Sequence, residues 1–139
     1  MAVDVAVEVS WIAVVAGTVG YQALGALWYG PLFGDRWMAG MGFEGPEEVH
    51  GDEDATTGYL LTTVGSLVAV VALVLLVDWT GASTPVEGLS LGVVVGVGFV
   101  ATTALQAVPF EGRAWSVYLL NAGYNLVALA GVGVLLVVL

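Results

Sequence analysis

The stretch "SLVAVVALVLLV", Ser66 to Val77, holds one hydroxyl and otherwise only apolar side chains. A helix built from it has no polar face to turn toward water. The C-terminal "VALAGVGVLLVVL", Val127 to Leu139, is of the same kind. These two runs exclude a soluble bundle and make the bilayer the natural solvent. Working outward, four stretches carry no Asp, Glu, Lys, Arg or His: Val9 to Gly34, Ala55 to Val77, Gly88 to Phe110 and Ala114 to Leu139. Each is longer than the roughly 20 residues that cross about 30 Å of hydrocarbon as a helix. The composition agrees, because only 10% of the chain is charged, against about 25% in a soluble domain. The expected fold is all-α, an integral membrane four-helix bundle forming a single membrane domain over residues 1–139. The first span is expected to stay in the mature protein. It is too long for a signal peptide, lacks a basic n-region and ends in an aromatic cluster rather than a small-residue cleavage site.

All charges fall outside the four stretches, twelve acidic and two basic, with no lysine and a net charge of −10. Such a surface suits molar salt, where the Debye length shrinks to about 3 Å and acid–acid repulsion is screened. A halophilic, archaeal host is therefore expected. Without cysteine there is no disulfide or thiolate chemistry, and without a basic patch nucleic-acid binding is disfavoured. His50 stands in "EGPEEVHGDED", Glu44 to Asp54, which lacks ordered ligand spacing and reads as a solvated loop rather than a metal site. No cofactor or metal is expected. The two basic residues, Arg36 and Arg113, both follow odd-numbered spans. Positive charge favours the cytoplasmic side, so loops 1 and 3 are expected there and both termini outside the cell membrane.

The chain also matches itself. "GYQALGALWYGPLFGDRW", Gly20 to Trp37, lies over "GFVATTALQAVPFEGRAW", Gly98 to Trp115, without a gap, pairing Pro31 with Pro109, Gly34 with Gly112 and Trp37 with Trp115. "YLLTTVGSLVA" from Tyr59 then lies over "YLLNAGYNLVA" from Tyr118. The order helix, Pro-x-x-Gly-x-x-Trp, Tyr-Leu-Leu, helix occurs twice, giving two repeated transmembrane hairpins at about 9–79 and about 86–139. The first carries an acidic loop at 40–57. Two spans per copy insert both copies in the same orientation, with a pseudo-twofold along the membrane normal. Within each copy, proline ends the helix where the backbone leaves the apolar layer, and Trp28, Tyr29, Trp37 and Trp115 are expected as interface anchors beside Pro31 and Pro109.

"GALWYGPLFGDRWMAGMG", Gly25 to Gly42, with "FEGRAWSVYLLNAGYNLVALAGVGVLL", Phe110 to Leu136, resembles a family of small bacterial and archaeal membrane proteins known as a domain of unknown function. The resemblance runs from about Val9 onward, and "LWYGPLFGDRW", Leu27 to Trp37, is its most specific part. It implies a four-span membrane protein and no known activity. It also implies that Asp35 and the acidic loop stand where relatives tend to be basic, and Asn125 where histidine is common, so a proton-linked role for that histidine is absent here.

Polar residues within spans are the remaining pointers. Thr18 and Gln22 in the first span, Thr62 and Ser66 in the second, Thr102 and Gln106 in the third, and Asn121 and Asn125 in the fourth form a candidate polar seam between the hairpins. Its simplest role is interhelical hydrogen bonding; the alternative is a path for a solute. No ionisable residue lies in any span, which disfavours proton or cation conduction. Gly88, Gly92 and Gly96, spaced by four, mark a helix-packing face whose partner is a helix of this chain or of a second copy. The expected function is structural or accessory, packing with itself or with a membrane partner in the lipid bilayer. The alternative is a small channel or carrier for a neutral or weakly polar solute. An enzyme is not expected, since no nucleophile, acid or base has an evident partner.

Overall fold

A computed structural model describes residues 10–44 and 55–139; His50 and the acidic run after Glu44 lie outside the described residues. It is all-α, with four helical stretches long and apolar enough to cross a membrane: Trp11–Leu32, Thr56–Thr80, Pro85–Glu111 and Trp115–Val138. Helix α1, Trp11–Leu27, starts on Ser10, whose hydroxyl accepts from the Ala13 amide at 3.3 Å. It runs into a π-helical segment, Trp28–Leu32, that contains Pro31. Proline has no N–H to give to an α-helical ladder, and the wider turn absorbs the loss.

After Phe33 the chain bends into the short α2, Gly34–Met41. Gly34 is buried at the bend, where a Cβ would sit 2.6 Å from the Tyr29 carbonyl oxygen. Helix α3, Ala55–Thr80, is followed by Gly81 in the left-handed region at φ 72. Helix α4, Pro85–Val95, opens with a reciprocal cap in which Thr84 accepts from the Glu87 amide and Glu87 accepts from the Thr84 amide. A second π-helical segment, Gly96–Ala101, leads through α5, Thr102–Ala104, into α6, Ala107–Glu111. The Tyr118 hydroxyl donates to the Ala101 carbonyl at 2.7 Å, serving a backbone group at the end of the widened turn. Gly112, at φ 68, ends α6, and α7 runs from Trp115 to Val138.

The two Pro-x-x-Gly-x-x-Trp stretches thus take different backbone paths. Gly34 is helical and needed for its lack of a side chain, whereas Gly112 is needed for its positive φ.

Helix α7 packs against α1, α2, α3 and α4. Its seam with α4 is the tightest. A Cβ on Gly88 would collide with the Gly133 carbonyl, one on Gly92 with the Leu129 carbonyl, and one on Gly96 would lie 3.0 Å from the Leu126 side chain. The partner of this glycine face is therefore a helix of the same chain. On the other side of α7, Tyr21 of α1, Val70 and Leu73 of α3, and Ala128, Leu129 and Val132 of α7 form the apolar core. Gly17 fits α1 against α3, where a Cβ would stand 2.9 Å from a Val70 methyl. Leu60, Leu61, Val68, Val94 and Leu119 are exposed on the outside, the surface that lipid would cover.

Candidate functional site

Above this core, toward the end of the bundle that carries α2, α1 is joined to its neighbours by polar bonds. Tyr21 donates to Asn125 Oδ1 at 2.5 Å, Tyr29 donates to Asn121 Oδ1 at 2.7 Å, and Trp28 Nε1 donates to the Leu120 carbonyl at 3.0 Å. In the reverse direction the Tyr124 hydroxyl donates to the Tyr21 carbonyl at 2.8 Å. Asn125 Nδ2 turns back to the Asn121 carbonyl at 3.0 Å. Toward α3, Gln22 Nε2 donates to the Thr63 hydroxyl at 2.7 Å, while the Ser66 hydroxyl lies 3.2 Å from Gln22 Oε1. No buried side-chain nitrogen or oxygen among the described residues lacks a partner. In a medium without water an unpaired amide or hydroxyl costs several kcal/mol, and these pairings remove that cost.

The aromatic rings form a continuous series. Trp37 meets Tyr29 edge-on at 5.8 Å, Tyr29 meets Tyr124 at 5.3 Å, and Tyr124 meets Tyr21 at 5.4 Å. Gly25 makes this possible, because a Cβ there would stand 2.9 Å from the Tyr124 hydroxyl.

Beside these rings lies a cleft of about 700 Å³ between α1, α2 and the start of α3. Tyr29, Trp37, Tyr59 and Tyr124 line it together with Asp35, and its inner end is formed by Gln22 and Thr62. A smaller space of about 330 Å³ adjoins it, sharing Gln22, Thr62 and Tyr124 and reaching Ser66 and Asn125. Farther along the bundle the sealed core begins, with Val14, Val70 and Leu73 at 1% exposure or less.

The expected seam is only partly assembled. Gln22, Thr62, Ser66, Asn121 and Asn125 come together around α1. Thr18 spends its hydroxyl on the Val14 carbonyl at 2.8 Å. Thr102 and Gln106 are exposed, and the Thr102 hydroxyl returns to the Gly98 carbonyl. The reason is geometric. The third span meets α7 through its glycines, which leaves its threonine and glutamine on the outside.

Of the residues expected at the membrane interface, Pro31, Pro109 and Trp115 are exposed, and Trp115 packs on Tyr118 at 5.9 Å. Trp28, Tyr29 and Trp37 are half-buried and belong to the cluster around the cleft. Sequence reasoning passed over Tyr21, Tyr124 and Tyr59. For the first two a signal existed, since a phenol near the middle of an apolar span must find an acceptor there.

Among the described residues lining the cleft, none pairs a nucleophile with a base. Among the described residues no cluster of His, Cys, Asp or Glu has the makings of a metal site. Four bilayer-length helices with a polar, aromatic cleft at one end define a chain of the multi-span membrane class. It belongs to the DUF1761 family, described as a protein of unknown function, whose profile matches residues 12–137. No curated protein and no solved structure matches it.

Proposed function

We propose that the protein is a multi-pass membrane protein of structural or accessory type that binds a small molecule in its cleft, and that it neither conducts a solute nor catalyses a reaction. The observation that carries this reading is the sealed layer beneath the cleft, where Val14, Val70, Leu73 and Val132 close the bundle. A cleft of about 700 Å³ lies within the roughly 300–1,000 Å³ range of small-molecule sites. The seam amides Gln22, Asn121 and Asn125 are engaged in bonds within the bundle, which supports packing over passage. Proteoliposomes containing the protein are expected to shrink and refill with glycerol or urea at the rate of empty vesicles, measured by light scattering. Faster, saturable flux would replace this reading with a carrier.

The same proposal includes two repeated hairpins. It is supported by the pairing of helices: α1 with α3 and α4 with α7 within hairpins, α1 with α7 and α3 with α4 between them. A twofold exchange of hairpins preserves that pairing. Loops 1 and 3, with Arg36 and Arg113, are assigned to the cytoplasm. The chain has no native cysteine, so an impermeant thiol reagent applied to intact cells should label Ser83→Cys in loop 2 and spare Glu111→Cys in loop 3. The opposite pattern reverses the orientation.

A further inference from the structure

The walls of the cleft are chemically one-sided, and we infer that its ligand is an organic cation carrying a substituted ammonium group. This inference rests on the reading of the cleft as a small-molecule site. Four aromatic side chains, Tyr29, Trp37, Tyr59 and Tyr124, line the same opening as the carboxylate of Asp35. Among the described residues no lysine or arginine lines it. Among the described residues no hydrogen bond or ion pair engages that carboxylate.

The protein has also spent most of its donors at the cleft. The Tyr29 hydroxyl gives its proton to Asn121 and the Tyr124 hydroxyl gives its proton to the Tyr21 carbonyl. Gln22 directs its amide hydrogens to Thr63 and Thr62, and Thr62 donates to the Tyr59 carbonyl. Apart from the Trp37 indole N–H and the Tyr59 hydroxyl, the side chains left facing a ligand are π-systems, hydroxyl oxygens with free lone pairs and one carboxylate. An anion finds no positive partner among the described residues there. A neutral solute rich in hydroxyls finds acceptors but few donors. A substituted ammonium matches every element, because its diffuse charge is attracted to aromatic faces and balanced by the acid, while its alkyl groups are covered by the rings.

A soluble ammonium compound and the headgroup of an ammonium-bearing lipid share this chemistry. The rim of the cleft includes Gly30, Gly58 and Tyr59, which are exposed.

The test uses the full chain in a neutral maltoside detergent at constant salt, with tryptophan fluorescence as the readout. Choline and benzyltrimethylammonium are titrated against 3,3-dimethylbutanol, the uncharged carbon isostere of choline. The cations are expected to bind saturably and about tenfold more tightly than the isostere, the range of a partly desolvated cation–π site. Asp35→Asn and Tyr59→Leu, both at exposed positions, should weaken the cations about three- to tenfold and leave the isostere and the thermal midpoint unchanged. Equal binding of cation and isostere, or cation binding indifferent to both substitutions, overturns the ammonium assignment and leaves the small-molecule cleft standing. Absence of saturable binding by any of the three probes overturns the cleft reading itself. Repeating the titration in nanodiscs separates the two sources. If choline-headgroup lipid competes with the soluble cation where phosphatidylglycerol does not, the ligand is a lipid headgroup; if the two lipids behave alike, it is a soluble cation. Both results support the ammonium assignment.

Discussion

Gly92→Ala is expected to destabilise the bundle by about 3 kcal/mol, the upper end of what an added core group typically costs, or to prevent its assembly. The new Cβ would meet the Leu129 carbonyl and Ala130 Cα of α7, both backbone atoms, so the helices can relieve the overlap only by separating. Gly88→Ala and Gly133→Ala should behave alike, each driving a Cβ into the facing glycine's carbonyl. Gly131→Ala is the control. It lies in α7 between Ala130 and Val132, is exposed, and a Cβ there meets nothing within 4 Å, so the better helix propensity of alanine, up to about 1 kcal/mol, should leave stability unchanged or raised. Thermal unfolding in detergent checks the series. Equal midpoints for Gly92→Ala and Gly131→Ala would show that the α4–α7 seam is not close-packed.

The second large effect is expected from Asn125→Leu, which removes the acceptor of the Tyr21 hydroxyl. Tyr21 is 7% exposed, and among the described residues its hydroxyl donates only to Asn125. A buried donor left unpaired costs about 1–3 kcal/mol, while bonds between membrane helices average nearer 0.6 kcal/mol, so a loss of about 1–2 kcal/mol is expected. The double variant Tyr21→Phe with Asn125→Leu should recover part of that loss, because the orphaned hydroxyl goes with its acceptor. Strict additivity of the two single changes would remove the bond from the account of what joins α1 to α7.

The spans were legible because the bilayer leaves few choices. A run without charge and about 20 residues long must satisfy its own backbone, and only a helix does so locally. The charge-free stretch Ala55 to Val77 accordingly falls within α3, Ala55–Thr80, and the one at Ala114 to Leu139 coincides with α7 to within a residue at each end. Helix α2 was not legible. Its eight residues mix Asp35 and Arg36 with Trp37 and Met38, a composition equally fit for a loop, and what makes it a helix is packing on α7.

The site was half legible for a related reason. Gln22, Thr62, Ser66, Asn121 and Asn125 stand out because amides and hydroxyls are costly in hydrocarbon. Tyr29 and Trp37 do not, because an aromatic residue near a span end serves equally at a headgroup surface or around a cavity. The choice between those uses depends on neighbours that lie about 90 residues away, as Asn121 does for Tyr29. Nor does hydropathy separate Thr102 and Gln106, which ended outside the seam, from Thr62 and Ser66, which are inside it. The distinction came from which face of the third span carries Gly88 and Gly92.

The central position of α7 bears on how the bundle comes into being. Helices α1, α3 and α4 precede it in the chain, and the core residues Ala128, Leu129 and Val132, the acceptors Asn121 and Asn125, and the complement to the glycine face all belong to α7. During synthesis the first three spans therefore enter the bilayer before the helix that joins them exists. Until it is made, Tyr21 lacks its Asn125 acceptor and Gly88 and Gly92 lack the backbone they pack on, whereas the contacts of α1 with α3, through Gly17, Val70 and the Gln22–Thr63 bond, do not depend on it. Helix α7 thus supplies together its share of the core, the acceptors for Tyr21 and Tyr29, and the Tyr124 wall of the cleft.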